Sequence, residues 1–315
     1  MTYKIAYWGS GPISNFHIPA LRAAGLEPWV AYSRPDSSRL QEFSKRWNLK
    51  MCYSDIEFLN QCKKSDAVVI ALETSVTPKA LEQIIELDLP VLVEKPGGIS
   101  ATDLMSFKHH KNVGLLLFGY NRRYYETAIY ARNFISLNST VMIQASFPDA
   151  IPSFSQFRIN GCHIIDFLQF TVGELILQKA WGSKDPKKSG FFVQLSTTQG
   201  HLINLCVNWG ASDNVQVKIS NGSDCLVLRG FEQLNHYNGM KIVEPTEEFP
   251  LRVYQPIEVN KINTTLTSTK PGFFQQALAF KDLMEKRMLS VIDCSLDQAI
   301  HNLEIIDSIS ESLEP

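Results

Sequence analysis

Three patterns predict an α/β protein of two domains. Short apolar runs alternate with helical patterns through the first third of the chain. A glycine-rich turn closes the first of those runs. Consecutive strand patterns then follow in the second half, with little helix between them. Alternation of the first kind predicts a parallel, doubly wound sheet, and consecutive strands predict an antiparallel one. The expected division is 1–120 for the first domain and 121–315 for the second.

The elements follow in order. Tyr3–Trp8 reads as a strand and Ile13–Ala24 as a helix; Pro28–Ser33 is the next strand and Ser38–Trp47 the next helix. Ala67–Leu72 is a continuous apolar run, as strands buried on both faces are. Thr77–Leu87 is helical, Val91–Glu94 and Leu115–Gly119 are strands, and a helix starts near Ser100. Beyond Tyr120, helices are expected over Arg123–Leu137 and Phe157–Val172. Strands are expected over Leu175–Trp181, Phe191–Thr198, His201–Trp209, Val215–Ser220 and Cys225–Arg229. Turns at Gln199-Gly200 and Asn221-Gly222 suit antiparallel pairing. Glu232–Thr269 shows no period and reads as loops with one or two short strands. Helices over Gly272–Arg287 and Leu296–Leu313 close the chain, with Ser295 as N-cap of the last.

Bulk composition removes several function classes. The chain has 315 residues, 30 Lys plus Arg against 32 Asp plus Glu, and a net charge of −2. That balance gives no general attraction to nucleic acid or an anionic membrane. The six cysteines form no C-x-x-C pair and no zinc-ligand spacing, so reduced core thiols and no metal are expected. No signal core precedes the first strand and no run of 18 apolar residues occurs, which predicts a cytoplasmic protein without a membrane span.

The first strand ends in Gly9-Ser10-Gly11-Pro12-Ile13-Ser14. Gly9 permits a tight turn, Gly11 lets the backbone approach a pyrophosphate, and Ser14 is small enough for helix–strand packing. Pro12 suits a first helical turn, and the N–H groups from Ile13 onward face an anion. The first domain is therefore expected to be a Rossmann domain binding a dinucleotide. The second strand ends in Ser33-Arg34 rather than in an acid. An acid there would repel a 2′-phosphate; Arg34 and Ser33 favour it, so NADP(H) is preferred, with NAD(H) as the second option. Arg39 is a further candidate contact, and Asp36 opposes this reading.

Glu94-Lys95-Pro96 follows the strand at Val91, at the carboxyl end of the sheet where ligands bind. Pro96 sets the local backbone and admits a cis bond; Lys95 is placed for proton exchange. His163 lies on the Phe157–Val172 helix, with Asn160 one turn before it and Arg158 beyond. Arg122 and Arg123 open the second domain, either as contacts to a substrate anion or as ion-pair partners. Asp166 reads as a partner of His163 or of the backbone, or as an exposed acid. His17 reads as a packing or capping residue.

Together these pieces resemble the glucose–fructose oxidoreductase / inositol dehydrogenase (Gfo/Idh/MocA) family. The resemblance rests on the turn at Gly9, Glu94-Lys95-Pro96, Asn121-Arg122-Arg123-Tyr124, Gly161-Cys162-His163-Ile164-Ile165-Asp166 and Ser295-Leu296-Asp297-Gln298-Ala299. It implies an N-terminal Rossmann domain with a C-terminal α/β domain built on an open, mainly antiparallel sheet. It also implies a sugar-like substrate and a homodimer or homotetramer formed through that sheet. Lys95 and His163 are the implied catalytic pair. Gly9, Gly11, Pro12, Ile13, Ser33, Arg34, Glu94 and Lys95 are the cofactor candidates; Asn160, Arg158 and Arg122 are the substrate candidates. The family's catalytic motif is Asp-x-Gly-x-His-x-x-Asp, and Ile159 stands at its first Asp. Ile159 cannot exchange a proton, so the relay falls to Lys95 and His163. The expected activity is hydroxyl–ketone interconversion by hydride transfer. The alternatives are a non-catalytic NADP-binding regulator or scaffold, and a reductase of an imine or conjugated double bond.

Overall fold

The computed structural model describes residues 2–34, 37–137, 140–182, 190–264 and 269–313. The chain divides into two compact units: Met1–Tyr124 with Leu266–Asp307, and Tyr125–Thr265 with Ser308–Pro315. The expected domains, 1–120 and 121–315, differ from this division, because Leu266–Asp307 groups with the first unit.

The first unit is built on six parallel strands: β1 (Tyr3–Trp8), β2 (Leu26–Tyr32), β3 (Lys50–Met51), β4 (Ala67–Ile70), β5 (Val91–Val93) and β6 (Leu116–Phe118). Their order is β3-β2-β1-β4-β5-β6, the doubly wound order in which the chain reverses direction between β1 and β4. Every residue of β4, β5 and β6 is buried, which is why these strands read as unbroken apolar runs. The connecting helices are α1 (Ser14–Ala23), α2 (Ser38–Trp47), α3 (Asp55–Cys62), α4 (Thr77–Ile84) and the short α5 (Thr102–Met105). The sequence reading lacks α3. Its start nevertheless carries a signal: Ser54 Oγ accepts from Glu57 N, and Glu57 Oε2 accepts from Tyr53 N. Burial pushes the Cys52 and Cys62 thiols up to about 11 and about 12, as expected of unreactive core thiols.

The second unit opens with α6 (Glu126–Ser136), preceded by a 3₁₀ turn over Asn121–Tyr124, so the helix starts later than Arg123. Next come β7 (Met142–Asp149), α7 (Phe154–Asn160) and α8 (Cys162–Val172). The single helix expected over Phe157–Val172 is thus two, joined at Gly161. Seven strands follow: β8 (Ile176–Gly182), β9 (Phe191–Ser196), β10 (Leu202–Trp209), β11 (Gln216–Ser220), β12 (Asp224–Arg229), β13 (Gln233–Val243) and β14 (Val253–Asn263). The sheet order is β14-β13-β12-β11-β7-β10-β9-β8. Only the β7–β10 pair is parallel; the other pairs are antiparallel. Buried and exposed residues alternate along β7, β9, β10 and β11, so one face of the sheet is covered and the other open. In this unit β7 and the β13–β14 hairpin differ from the sequence expectation. β7 sits in the middle of the sheet, with Ile143, Ala145 and Phe147 buried as its only periodic signal. β13 and β14 are 11 residues each, where loops and short strands were expected. Most of that hairpin is exposed on both faces, so neither face selects apolar residues and no period of two appears.

The chain then returns to the first unit through α9 (Phe273–Lys286). Phe273, Ala277, Phe280 and Leu283 join the core that holds Ile5, Ile18 and Leu21, which ties this late helix to the first sheet. The isolated bridge between Phe118 and Cys294 extends the edge at β6. The last helix, α10 (Leu296–Leu313), begins where Ser295 Oγ accepts from Gln298 N at 3.4 Å, the expected N-cap.

Candidate active site

The turn after β1 lies where the sheet order reverses. Gly9 N donates to Tyr32 O at 2.8 Å and Ala71 N donates to Trp8 O at 2.8 Å, so β1, β2 and the end of β4 are tied together around it. Gly9 has φ +138°, and a Cβ there would meet Ala71 O at 2.2 Å. Only glycine fits. Gly11 differs: a Cβ there meets nothing within 4 Å, so its face is open to a ligand. α1 starts at Ser14 with no side-chain cap; Ser14 N, Asn15 N and Phe16 N instead donate to Gly11 O, Pro12 O and Ile13 O at 3.0, 3.2 and 2.9 Å. Ser14 is fully buried, as helix–strand packing at the third motif position requires. The turn thus leaves room beside Gly11 of the kind a dinucleotide pyrophosphate needs.

At the end of β2, Ser33 is half-buried and Arg34 exposed; Arg39 is also exposed, and Asp36 lies outside the described residues. Behind them the Tyr32 hydroxyl donates to Asp55, and the Tyr32 ring stacks on Phe58 at 5.4 Å. The nearby acid is therefore engaged by a phenol, and burial holds that phenol above its ordinary pKa.

Glu94 and Lys95 follow β5, and the Lys95–Pro96 bond is cis. Lys95 is half-buried. The Glu94 carboxylate turns inward: His17 Nε2 lies 2.7 Å from Glu94 Oε1, with side chains 3% and 9% exposed. His17 is thus no cap for α1 but the partner of a buried carboxylate, a pairing that its sequence position did not reveal. Tyr7 lies beside them. Burial raises its phenol well above the ordinary value, Ser14's hydroxyl opposes this, and the Glu94 charge adds to it.

Arg123 is 1% exposed; its Nη1 donates to Asp293 O at 3.1 Å and to Gln298 Oε1 at 2.7 Å. Tyr124 Oη donates to Asp293 Oδ1 at 2.8 Å. These bonds go to a backbone carbonyl and an amide, not to the acid an ion-pair partner would engage, and they fasten Asn121–Tyr124 to the start of α10. Arg122 is half-buried.

In the second unit, His163 lies in the first turn of α8, a helix buried along its whole length. The glycine before it is sterically required: a Cβ on Gly161 would meet the Phe157 ring at 2.1 Å. Asp166 is 1% exposed, which removes the reading of an exposed helical acid. Asn160 is half-buried; the Arg158 guanidinium lies over the Phe154 ring at 5.4 Å. Ile159 is 43% exposed, an apolar side chain turned to solvent in the motif position where an aspartate was expected. Among the described residues no group of three or more His, Cys, Asp or Glu could hold a metal ion. Among them, too, no helix is long and apolar enough to cross a membrane.

Comparison with known proteins agrees with the fold. Residues 3–112 match the model of GFO_IDH_MocA, described as an oxidoreductase family with an NAD-binding Rossmann fold. No curated protein matches the sequence. Among solved structures the chain is similar to a Desulfitobacterium hafniense protein described as an NADPH-dependent oxidoreductase, with TM-score 0.81 and 14% identity over 99% of this chain and 96% of that one. It is similar to an Agrobacterium radiobacter oxidoreductase solved with NAD+, L-tartaric acid and magnesium, with TM-score 0.77 and 13% identity over 99% and 96%. A UDP-N-acetylglucosamine 3-dehydrogenase from Acidithiobacillus ferrooxidans is similar at TM-score 0.76 and 13% identity over 99% and 98%. At such identities the likeness establishes the fold.

Proposed function

We propose that this chain is an NADP(H)-dependent oxidoreductase that interconverts a hydroxyl and a ketone on a sugar or sugar derivative. The observation that carries the reading is Lys95. It is half-buried directly after a fully buried strand, at the carboxyl end of a doubly wound sheet whose glycine turn fits a dinucleotide. A bound nicotinamide supplies hydride uptake and return. Lys95 accepts the proton of the hydroxyl being oxidised and returns it in the reverse direction, with His163 sharing that proton. Gly9, Gly11, Pro12 and Ile13 hold the pyrophosphate; Ser33 and Arg34 hold the 2′-phosphate and set the preference for NADP(H). Asn160, Arg158 and Arg122 bind the substrate. The sugar assignment draws support from fold likeness to a nucleotide-sugar dehydrogenase.

Self-association through the open sheet face, as a homodimer or homotetramer, belongs to the same proposal. Met142, Trp181, Phe192 and Leu202 are 40–60% exposed on strands of that sheet, more apolar surface than water favours. The test of function is a screen of sugars, amino sugars and nucleotide sugars with NADP(H), followed by nicotinamide absorbance. Turnover that disappears in Lys95→Ala, with cofactor binding retained, supports the reading. A second reading, a non-catalytic NADP-binding regulator or scaffold, draws on exposed Ile159; cofactor-dependent association with another protein, without turnover, would favour it. Reduction of an imine or conjugated double bond, which needs fewer proton relays, is the remaining alternative. The same screen with those substrates would detect it.

A further inference from the structure

The geometry points to His17 as a positioning residue that holds the Glu94-Lys95-Pro96 loop by engaging the Glu94 carboxylate from α1. This inference rests on the reading of Lys95 as the group that handles the proton.

Glu94 is 8% exposed, and its carboxylate sits where an unpaired charge would be costly. His17 Nε2 meets it at 2.7 Å across 77 positions of sequence. The pair is built from both sides. The His17 ring meets Phe273 edge-on at 4.9 Å, and the Tyr7 ring lies 6.4 Å away, so the imidazole is confined between aromatic walls. On the Glu94 side, a Cβ on Gly119 would come within 3.0 Å of Glu94 Oε1, so the neighbouring strand end is bare where the carboxylate lies. Glu94 N donates to Ile70 O at 2.8 Å, which anchors the backbone to β4. The side chain is then the part of this residue that needs a separate anchor, and Lys95 is the next residue along. α1 also carries the glycine turn at its start. One helix thus begins at the glycine turn and, through His17, holds the loop that bears Lys95. The cofactor turn and the proton-handling lysine are thereby fixed to one rigid element. A shift of ~1 Å in such a group can cost roughly 10²-fold in rate, so a residue that merely holds the loop is read out in turnover.

The test compares His17→Leu, which deletes the donor, with His17→Gln, which retains one. Three quantities are read: NADP(H) affinity by fluorescence, turnover, and acylation of Lys95 by a water-soluble acetyl ester. Acylation is followed by mass spectrometry against surface lysines of the same chain, and needs no substrate. His17→Leu is expected to leave NADP(H) affinity within about twofold and to lower kcat by about tenfold or more. It is expected to change the relative acylation rate of Lys95, and His17→Gln to restore both values towards wild type. Wild-type Lys95 acylation in His17→Leu would overturn the inference, as would a His17→Gln protein, folded by thermal melting, that is as impaired as His17→Leu. Turnover retained in Lys95→Ala would instead sink the parent reading, and leaves the acylation result to stand by itself.

Discussion

The two units solve the same problem, presenting polar groups from a buried frame, in different ways. In the first, the sheet is parallel, β4, β5 and β6 are fully buried, and the turn after β1 is shaped by backbone, with Gly9 against Ala71 O. In the second, the sheet is mainly antiparallel and covered on one face, and the candidate residues hang on side-chain packing: Gly161 against the Phe157 ring, with His163 just beyond. Geometry fixed by backbone admits no side-chain remedy, whereas geometry fixed by side-chain packing can be varied by substitution.

The largest expected effect separates the two glycines. Gly9→Ala would force a strained φ and a clash with a carbonyl oxygen, and should cost about 3 kcal/mol or more, with loss of NADP(H) binding. Gly161 has φ −65°, so Gly161→Ala is free of that φ strain but meets the Phe157 ring at 2.1 Å and Phe157 O at 2.7 Å, and should cost about 1–3 kcal/mol. Adding Phe157→Leu should recover part of the second loss; no side-chain change should recover the first. Melting curves of the single and double variants check this. Recovery of Gly9→Ala by trimming a neighbouring side chain would break the distinction.

A smaller effect is expected at Arg34. Arg34→Ala should weaken NADP(H) binding by about tenfold, the worth of one charge-assisted hydrogen bond, while leaving NAD(H) binding nearly unchanged. Dissociation constants for both cofactors decide it. Equal weakening of both would show that Arg34 does not read the 2′-phosphate.

The smallest effect lies in the second unit's own polar network. Hydrogen bonds from Asn238, His236 and Ser223 pull the Asp224 carboxyl from 3.8 down to about 2. The folded value is below the unfolded one, so this group stabilises the fold above pH 3.8, and the contribution fades as pH falls towards about 2. Asp224→Asn should therefore melt lower than wild type near neutrality, with the gap closing across that acidic window. A gap independent of pH would contradict the assignment.

What could be read beforehand follows the same division. β4 and β5 were legible because burial on both faces leaves a continuous apolar signature. The glycine turn and the place of Glu94-Lys95-Pro96 after β5 were legible because local spacing defines them. The place of α9 was not, since nothing in a helix's own pattern says which core it joins. The β13–β14 hairpin was hidden by its exposure. His17 was hidden by distance: it shares the buried face of α1 with Ser14, Ile18 and Leu21, and its partner lies 77 positions away.

The account stands most directly on Lys95. Wild-type protein and Lys95→Ala would be compared for NADP(H) affinity and for turnover of the sugar substrate found by screening. Affinity within about twofold, with turnover lowered by roughly 10²-fold or more, is the predicted result for a residue that moves the proton. Undiminished turnover in Lys95→Ala would contradict it.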